Sequence, residues 1–139
     1  EPLFERFGLA GTEEKWPAEL SGGMRQRAAF MRTYLMGADV TLLDEPFSAL
    51  DAITRVEVRR WFCDMARELG LSALVITHDV DEAVSMASRV YVLAGRPSEG
   101  EPSHVAGEVR VDHDAAGEGD FALTPEFLSA KREVLELLG

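Results

Sequence analysis

Apolar positions along this chain recur in two ways, at helical spacing and as short continuous runs. The helical spacing predicts a helix that ends at Gly37, a second between Asp51 and Gly70, and a closing helix that begins at Thr124 and Pro125. Each helix has one apolar face, which we expect to pack on a core. The positions on these faces are, in chain order, Met24, Ala28, Met31 and Leu35; Val58, Phe62, Met65 and Leu69; and Phe127, Ala130, Val134 and Leu138.

Three short apolar runs predict strands. They occupy residues 39–44, 73–79 and 89–95, and polar or turn-forming residues bound each run. Runs of this composition are typical of strands that are covered on both faces. A short helix predicted at residues 79–87 separates the second run from the third, so strands and helices alternate. The alternation predicts an α/β fold with right-handed crossovers and a parallel sheet.

The segment from Arg96 to Asp120 has a different composition, rich in Pro, Gly, Ser, Glu and Asp. Within it, "GEVRV" (107–111) alternates polar and apolar residues, which predicts an exposed strand or one arm of a small hairpin. We expect this acidic segment to be a solvated, peripheral hairpin rather than a regulatory site.

Composition and charge limit the class of protein. The chain has 139 residues, 46% of them hydrophobic, and no apolar run approaches the roughly 20 residues that cross a bilayer. These values predict one globular domain, or part of one. The formal net charge of −11 disfavours nucleic acid as a partner, because an acidic surface repels a polyanion. Cys63 is the single cysteine, and its place in a helical pattern favours a buried, inert thiol.

The stretch Ser21–Gly22–Gly23 comes directly before the first long predicted helix. The unpaired amides and the positive dipole end of a helix N-terminus attract anions, glycines allow close backbone approach, and Ser21 adds a hydroxyl. A phosphate group would suit such a site. The same residues also fit an N-cap serine followed by glycines that form a turn. By itself, the stretch leaves both interpretations open.

Two acids and a histidine follow the predicted strands. Asp44 and Glu45 come after the first strand, at the edge where open parallel sheets bind their ligands. Because side chains alternate along a strand, Asp44 can hold Mg²⁺ through water while Glu45 orients or deprotonates an attacking water. His78 ends the next strand, so we expect it at the same edge, where it could donate a hydrogen bond to a terminal phosphate. Solvated acids and a structural histidine are the open alternatives.

The order of these motifs strengthens the functional interpretation of each. "LSGGMRQR" (20–27) comes first, "TLLDEPFSALD" (41–51) follows, and "ITHD" (76–79) comes last. In this order and at these spacings, they resemble the ATP-binding cassette (ABC) ATPases over nearly the whole chain. The first stretch resembles the ABC signature. The second resembles the Walker B strand with its following glutamate and, at residues 48–51, the D-loop. His78 resembles the switch histidine, and the fold implied is a partial P-loop NTPase fold.

The resemblance implies a role for each matched residue. Asp44 would help to hold Mg²⁺ through water, Glu45 would be the catalytic base, and His78 would contact the γ-phosphate of ATP. ATP and Mg²⁺ are therefore the cofactors that the resemblance implies.

In this family the signature completes the nucleotide site of a second subunit. The residues of this chain that would bind the second subunit's ATP are Ser21, Gly22, Gly23 and Gln26. Asp51, in the D-loop, would lie at the same interface. The partners implied are a second copy of the chain, transmembrane permease subunits and a solute-binding protein. The location implied is cytoplasmic, at the inner face of the cell membrane.

The sequence departs from the family pattern at the Walker A loop. It contains no Gly-Lys-Ser/Thr, and neither Lys15 nor Lys131, its two lysines, follows a glycine. Without the amides and lysine of that loop, the nucleotide phosphates lose their main cradle. We therefore expect this chain by itself to bind ATP and Mg²⁺ weakly or not at all, and not to hydrolyse ATP.

We accordingly expect the C-terminal portion of one ABC ATPase domain. Its predicted parts are the end of a helical subdomain (1–38), a core from the Walker B strand to the switch histidine (39–95), and a peripheral hairpin with a closing helix (96–139). In the family's sheet the Walker A strand lies between the second and third apolar runs. The edges of these two strands are therefore expected to be unpaired, and such edges favour self-association.

Within the family, the sequence is similar to importer ATPases of the nitrate, sulfonate and taurine type, and to importers of pyrimidine precursors. The implied function is to couple ATP hydrolysis to import of a small solute. A soluble, non-transport ABC protein is one alternative, although the sequence shows no coiled-coil insertion or basic arm. A non-catalytic ABC-like interaction module is another. The missing Walker A loop favours that alternative, whereas the presence of Glu45 and His78 disfavours it.

Overall fold

The computed structural model describes residues 2–116 and 120–139. Helices and strands alternate along the chain, as predicted for an α/β fold. The α-helices are α1 (Pro2–Arg6), α2 (Gly22–Leu35), α3 (Ala52–Leu69), α4 (Val80–Met86) and α5 (Pro125–Leu138). The strands are β1 (Val40–Asp44), β2 (Ser72–Ile76), β3 (Arg89–Ala94) and β4 (His104–Arg110). Short 3₁₀ helices lie at Pro17–Glu19, Pro97–Glu99, His113–Ala116 and Phe121–Leu123.

The chain forms two compact units. The first extends to Ile76, at the end of β2, and the second is Thr77–Gly139. This boundary coincides with neither of the predicted boundaries, after residues 38 and 95. Those boundaries divide a complete ABC domain into functional parts, and that division stays a prediction.

Aromatic side chains form the core of the first unit. The ring centroid of Phe30 on α2 lies 4.6 Å from that of Phe62 on α3 and 5.9 Å from that of Phe47. Trp61 lies 6.0 Å from Phe30 and makes an edge contact with Phe7 at 5.9 Å. Aromatic rings bury large apolar areas, so this cluster stabilises the packing of α2 on α3.

The strands of the first unit pair in parallel, with Leu42 opposite Leu74 and Leu43 opposite Val75. Leu43 and Val75 are half-buried, whereas Leu42 is 73% exposed and Leu74 is also exposed. The prediction that both faces of these strands are covered is therefore wrong for the described residues. An apolar run makes a strand suitable for burial on both faces. Whether both faces are buried depends on other elements of the fold that pack against them.

In the second unit, β3 and β4 form an antiparallel hairpin with Val90 opposite Val109. The prediction of a hairpin arm at 107–111 is confirmed, and the strand with which it pairs is β3. The described strands form two separate sheets, β1–β2 and β3–β4, which agrees with the expectation that the second and third apolar runs are not paired. The second unit has its own hydrophobic core, and its buried residues are Val84, Val90, Val92, Val109, Val111, Phe127, Ala130 and Val134.

Helix ends agree with the sequence where a local signal defines them. The Asp51 side chain caps α3, and Gly70 ends it in the left-handed conformation with φ of 63°. Thr124 caps α5 by accepting a hydrogen bond from the amide of Phe127 at 3.2 Å, and Pro125 is the first helical residue. Both caps confirm the predicted boundaries.

The predicted apolar faces agree with the structure except at the last positions of α2 and α5 and at one residue within α2. Met31 on α2 is buried as predicted, but Leu35 is 63% exposed, and Phe30, which the spacing did not select, is buried. On α5, Leu138 is 49% exposed. Helical spacing identifies the side of a helix that packs, but it does not show how far along the helix the neighbouring element extends.

The predicted polar segment from Arg96 to Asp120 includes residues 117–119, which lie outside the described residues. Among the residues that the structure does describe, no helix is both long enough and apolar enough to cross a membrane.

Candidate functional site

Ser21 is the N-cap residue of α2. Its φ and ψ are −63° and 164°, and its Oγ accepts a hydrogen bond from the amide of Met24 at 3.2 Å. The capping interpretation of the serine is therefore confirmed. Ser21 is also exposed, so the anion-binding interpretation, which requires contact with solvent, stays open. A hydroxyl that accepts from an amide still has its own proton to donate.

The two glycines after Ser21 allow a close contact between helices. They are the first two residues of α2 and neither has a positive φ, so they form the first turn of the helix rather than a separate turn before it. A Cβ on Gly22 would lie 3.3 Å from Leu50 Cδ2, and a Cβ on Gly23 would lie 3.1 Å from Thr54 Cγ2 and 3.2 Å from Val58 Cγ2. The first turn of α2 therefore packs closely against the start of α3. Sequence analysis missed this contact because its partners lie on another helix.

Asp51 is the N-cap residue of α3, with φ and ψ of −64° and 162°, nearly the same as those of Ser21. Its Oδ1 accepts hydrogen bonds from the amides of Ile53 at 3.2 Å and Thr54 at 3.0 Å. Hydrogen bonds lower the pKa of the exposed Asp51 carboxyl. The bond from the Thr54 side chain has the largest effect, and the bond from the Thr54 amide has the next largest. The structure thus places two of the predicted site residues, Ser21 and Asp51, at the N-termini of two helices that pack together.

Two arginines that sequence analysis did not single out lie beside these caps. Arg25 Nη1 donates to the carbonyl of Leu20 at 2.6 Å, and Arg55 Nη2 donates to the carbonyl of Leu50 at 3.0 Å. In each case the acceptor is the residue directly before the N-cap. The sequence carried a signal for this arrangement, since "LSGGMR" (20–25) and "LDAITR" (50–55) share a leucine, an N-cap residue and an arginine at equal spacing.

Asp44 and Glu45 lie where β1 ends. Asp44 is exposed and lies opposite Ile76 of β2, whose carbonyl accepts a hydrogen bond from the amide of Glu45 at 2.8 Å. Among the described residues, Glu45 is the one non-glycine with a positive φ, 46°. The left-handed conformation costs a side-chain-bearing residue about 1–2 kcal/mol. Ser48 stabilises the turn by donating hydrogen bonds from its amide and its hydroxyl to the Glu45 carbonyl.

His78 and Asp79 follow β2 and belong to the second unit. His78 is exposed, and the Asp79 side chain caps α4 by accepting from the amide of Glu82 at 3.0 Å. Asp44 and Glu45 lie in the first unit, and that His78 shares an edge with them stays a prediction.

The side chains at the end of β1 fit a magnesium ion that is held mainly by non-protein ligands. No group of three or more His, Cys, Asp or Glu residues in the described ranges could enclose a metal ion. Mg²⁺ commonly uses only one or two carboxylates, with water and phosphate oxygens for the rest. The exposed Asp44 carboxylate suits such a role.

Gln26 and Cys63 are both less exposed than Ser21, Asp44 and His78. Gln26 is half-buried on α2 and follows Gly22 by one helical turn. Cys63 is half-buried on α3, and burial raises the pKa of its thiol. A raised pKa reduces the thiolate fraction, which fits the predicted inert thiol.

Three comparisons with known proteins agree with these motifs. The family described as ABC transporter matches residues 1–48. "Aliphatic sulfonates import ATP-binding protein SsuB 2" of Nocardia farcinica (strain IFM 10152) is 39% identical over 138 residues, which cover 95% of this chain and 51% of that protein. "Formylaminopyrimidine import ATP-binding protein ThiZ" of Halalkalibacterium halodurans is 43% identical over 98 residues, which cover 70% of this chain and 39% of that protein. The structure of cbiO1 from Clostridium perfringens, part of the ABC transporter complex cbiONQ, matches with a TM-score of 0.60 at 30% identity, over 66% of this chain and 36% of that one.

The motifs, the fold and these relatives define a partial P-loop NTPase fold of the ABC ATPase class. The chain belongs to the ATP-binding proteins of ABC transporters, and it is similar to the import ATP-binding proteins of the sulfonate type. It spans between 39% and 51% of the length of the two curated relatives described above.

Proposed function

We propose that the protein to which this chain belongs is the ATP-binding subunit of an ABC importer, which couples ATP hydrolysis to uptake of a small solute. Import proteins for aliphatic sulfonates and for formylaminopyrimidine are among its relatives, and we propose an organic sulfonate as the solute class. The proposed partners are a second copy of the chain, permease subunits and a solute-binding protein. The proposed location is the cytoplasmic face of the membrane.

The observation that carries this proposal is the contact between the signature and the D-loop. Ser21 and Asp51 cap two helices in nearly the same conformation, and Gly22 and Gly23 bring the first turn of α2 against Leu50 and the start of α3. Neither helix has an acidic residue in its first turn. The N-terminus of α2, which a neutral serine caps, creates a positive electrostatic field that suits a polyphosphate, whereas the Asp51 carboxylate already occupies the N-terminus of α3.

The roles proposed for the side chains follow from their positions. Ser21 can donate a hydrogen bond from its hydroxyl to a phosphate oxygen, while the amides of Gly22 and Gly23 have no acceptor within the helix. We assign nucleotide binding to these residues and to Gln26. Asp51 is assigned to the interface with the second copy, where its carboxylate keeps the D-loop in its capped conformation.

The residues after β1 and β2 are assigned to hydrolysis. Magnesium-bound ATP supplies the phosphoanhydride bond whose cleavage drives transport. Asp44 offers a carboxylate to a metal-bound water, Glu45 accepts a proton from the attacking water, and His78 donates a hydrogen bond to the terminal phosphate. The left-handed backbone at Glu45 supports its assignment, since strained residues concentrate at active sites.

Substitution of Glu45 tests this assignment. In the intact protein, Glu45→Gln removes the base but keeps a similar shape, so we expect ATP binding to persist and turnover to fall by about 10²-fold or more. Glu57→Gln, at an exposed position on α3, is the matched control and should keep normal turnover. Unchanged turnover in Glu45→Gln would remove Glu45 from the role of base. Failure of the unaltered protein to bind ATP would overturn the proposed function as a whole.

We also propose that this chain by itself does not hydrolyse ATP, since it has no Gly-Lys-Ser/Thr to hold the β- and γ-phosphates. The test is an ATPase assay on the purified 139-residue chain, with sedimentation to measure its association state. We expect no turnover, and we expect dimers or larger species. A monomer that hydrolyses ATP would contradict both expectations.

A further inference from the structure

The signature and D-loop segments are built on the same local pattern. In each, a leucine precedes the N-cap residue, and an arginine follows the N-cap by four positions in the first turn of the helix. The amide of Arg25 donates to the Ser21 carbonyl at 2.9 Å, and the amide of Arg55 donates to the Asp51 carbonyl at 2.9 Å. The N-cap dihedral angles differ by 2° or less, since φ is −63° and −64° and ψ is 164° and 162°.

In both segments the arginine side chain folds back to the residue before the cap. Arg25 Nη1 lies 2.6 Å from the Leu20 carbonyl oxygen, and Arg55 Nη2 lies 3.0 Å from that of Leu50. A charged donor forms a stronger hydrogen bond than a neutral one. Because a peptide group is planar, a bond to the leucine carbonyl restricts the whole leucine–cap peptide, and with it φ of the cap residue.

Helix propensity does not account for these two arginines. A cation in the first turn is disfavoured by the positive end of the helix dipole. Arg55 carries a further cost, because its Nε is buried and has no acceptor in the described part of the chain. The Arg55 guanidinium therefore keeps its bond to Leu50 while one of its own donors stays unsatisfied. A role for the arginines in holding the leucine carbonyls would offset these costs, and a phosphate at the N-terminus of α2 would offset that of Arg25 further.

We propose that Arg25 and Arg55 are paired positioning residues. Arg25 orients the Ser21 hydroxyl, and Arg55 orients the Asp51 carboxylate, each through the carbonyl of the preceding leucine. This inference rests on the proposed function, because the groups that it positions are those assigned to the nucleotide and to the second copy. Neither arginine touches the reacting atoms.

The first test measures the caps directly, without nucleotide. In the intact protein with isotope-labelled methionine and threonine, solvent exchange is followed at the amide of Met24, capped by Ser21, and at that of Thr54, capped by Asp51. We expect Arg25→Leu to accelerate exchange at Met24 by about tenfold, and Arg55→Leu to do the same at Thr54.

A matched control and a conservative variant complete the exchange test. Arg32→Leu, at an exposed position in the last turn of α2, should change neither rate. Arg25→Lys and Arg55→Lys keep a charged donor and should restore part of the protection, and they take the place of any leucine variant that does not fold. Unchanged exchange at the capped amide in both the leucine and the lysine variants would overturn the proposal.

The second test asks whether Arg25 acts through Ser21. We expect Arg25→Leu to raise KM for ATP about fivefold while kcat changes less, because a misplaced hydroxyl weakens binding. In a Ser21→Ala background, Arg25→Leu should raise KM no further. A merely destabilising substitution would raise KM equally in both backgrounds, and that result would overturn the proposal. If the unaltered protein does not turn over ATP, the proposed function fails, and the exchange rates alone decide the roles of the two arginines.

Discussion

The packing of α2 on α3 should be sensitive to a single added methyl group at Gly23. A Cβ at this position would lie 3.1 Å from Thr54 Cγ2 and 3.2 Å from Val58 Cγ2. Carbon atoms prefer separations of about 3.5–4.0 Å, so both methyl groups would have to move. Thr54 and Val58 are β-branched residues with restricted χ1 angles in a helix, and neither can yield easily. Gly23→Ala should therefore overpack this contact.

The magnitude follows from two opposing terms. Overpacking a well-packed contact costs about 1–3 kcal/mol. Replacing glycine by alanine in a helix returns about 1 kcal/mol, because alanine loses less backbone entropy on folding. We therefore expect Gly23→Ala to lower the free energy of unfolding by about 1 kcal/mol.

Gly22→Ala is the matched control, one position away on the same helix. Its Cβ would approach one side-chain atom closely, Leu50 Cδ2 at 3.3 Å, which is the far end of a flexible side chain. A small rotation of Leu50 relieves this contact, so the gain in helix propensity should equal or exceed the cost. We expect the stability of this variant to match or slightly exceed that of the unaltered protein.

The assay is urea unfolding of the intact protein without nucleotide, followed by far-ultraviolet circular dichroism. A second variant, Gly23→Ala with Thr54→Ser, removes one of the two crowding methyl groups but keeps the hydroxyl, and it should recover part of the lost stability. Equal midpoints for Gly22→Ala and Gly23→Ala, or no recovery in the double variant, would refute this explanation of the glycines.

Three further predictions, each measured by the same urea unfolding, test other parts of the structure. Gly8→Ala places a Cβ against the Arg27 guanidinium at a φ of 65°. That guanidinium lies 4.9 Å from the centroid of the Trp61 ring, so moving it aside would disturb the cation–π contact. Gly8→Ala should therefore destabilise more than Gly11→Ala, whose surroundings are open and which carries only the left-handed backbone cost of about 1–2 kcal/mol; an equal loss would contradict this. Hydrogen bonds lower the pKa of Asp51, so its charge stabilises the fold fully above about pH 4 and loses this effect as the pH falls through its lower folded value. Asp51→Asn keeps a capping oxygen without the charge, so its stability should fall less steeply in acid; equal slopes would contradict the assignment. Thr124→Val removes the N-cap oxygen of α5 and should cost about 1 kcal/mol, whereas Thr124→Ser should cost less, and equal losses would exclude a capping role.

The parts of the fold that the sequence predicted are those with local causes. Asp51 and Gly70 define the ends of α3 because capping depends only on nearby backbone groups. The exposure of Leu42 could not be predicted, since it depends on which elements cover the face of β1 that carries it. Leu35 illustrates the same limit on a helix.

In the candidate site, too, the sequence predicted the features with local causes and missed those that depend on a second helix. The cap position of Ser21 follows from its place before an apolar stripe. The packing role of Gly23 could not be predicted, because Thr54 and Val58 belong to another helix and their approach requires the folded structure. Arg25 and Arg55 carry a local signal, because residues 20–25 and 50–55 align with each other, but neither segment shows this signal when it is considered alone.

The aromatic core of the first unit has a practical consequence for spectroscopy. Trp16 and Trp61 are the two tryptophans of the chain, and both belong to this unit. Trp16 is 76% exposed, whereas Trp61 contacts Phe7 and Phe30, so loss of the core should change the emission of Trp61 most strongly. Within this chain, tryptophan fluorescence therefore monitors one half of the molecule. A difference between its transition and that of a probe for total helix content would reveal whether the two halves melt separately.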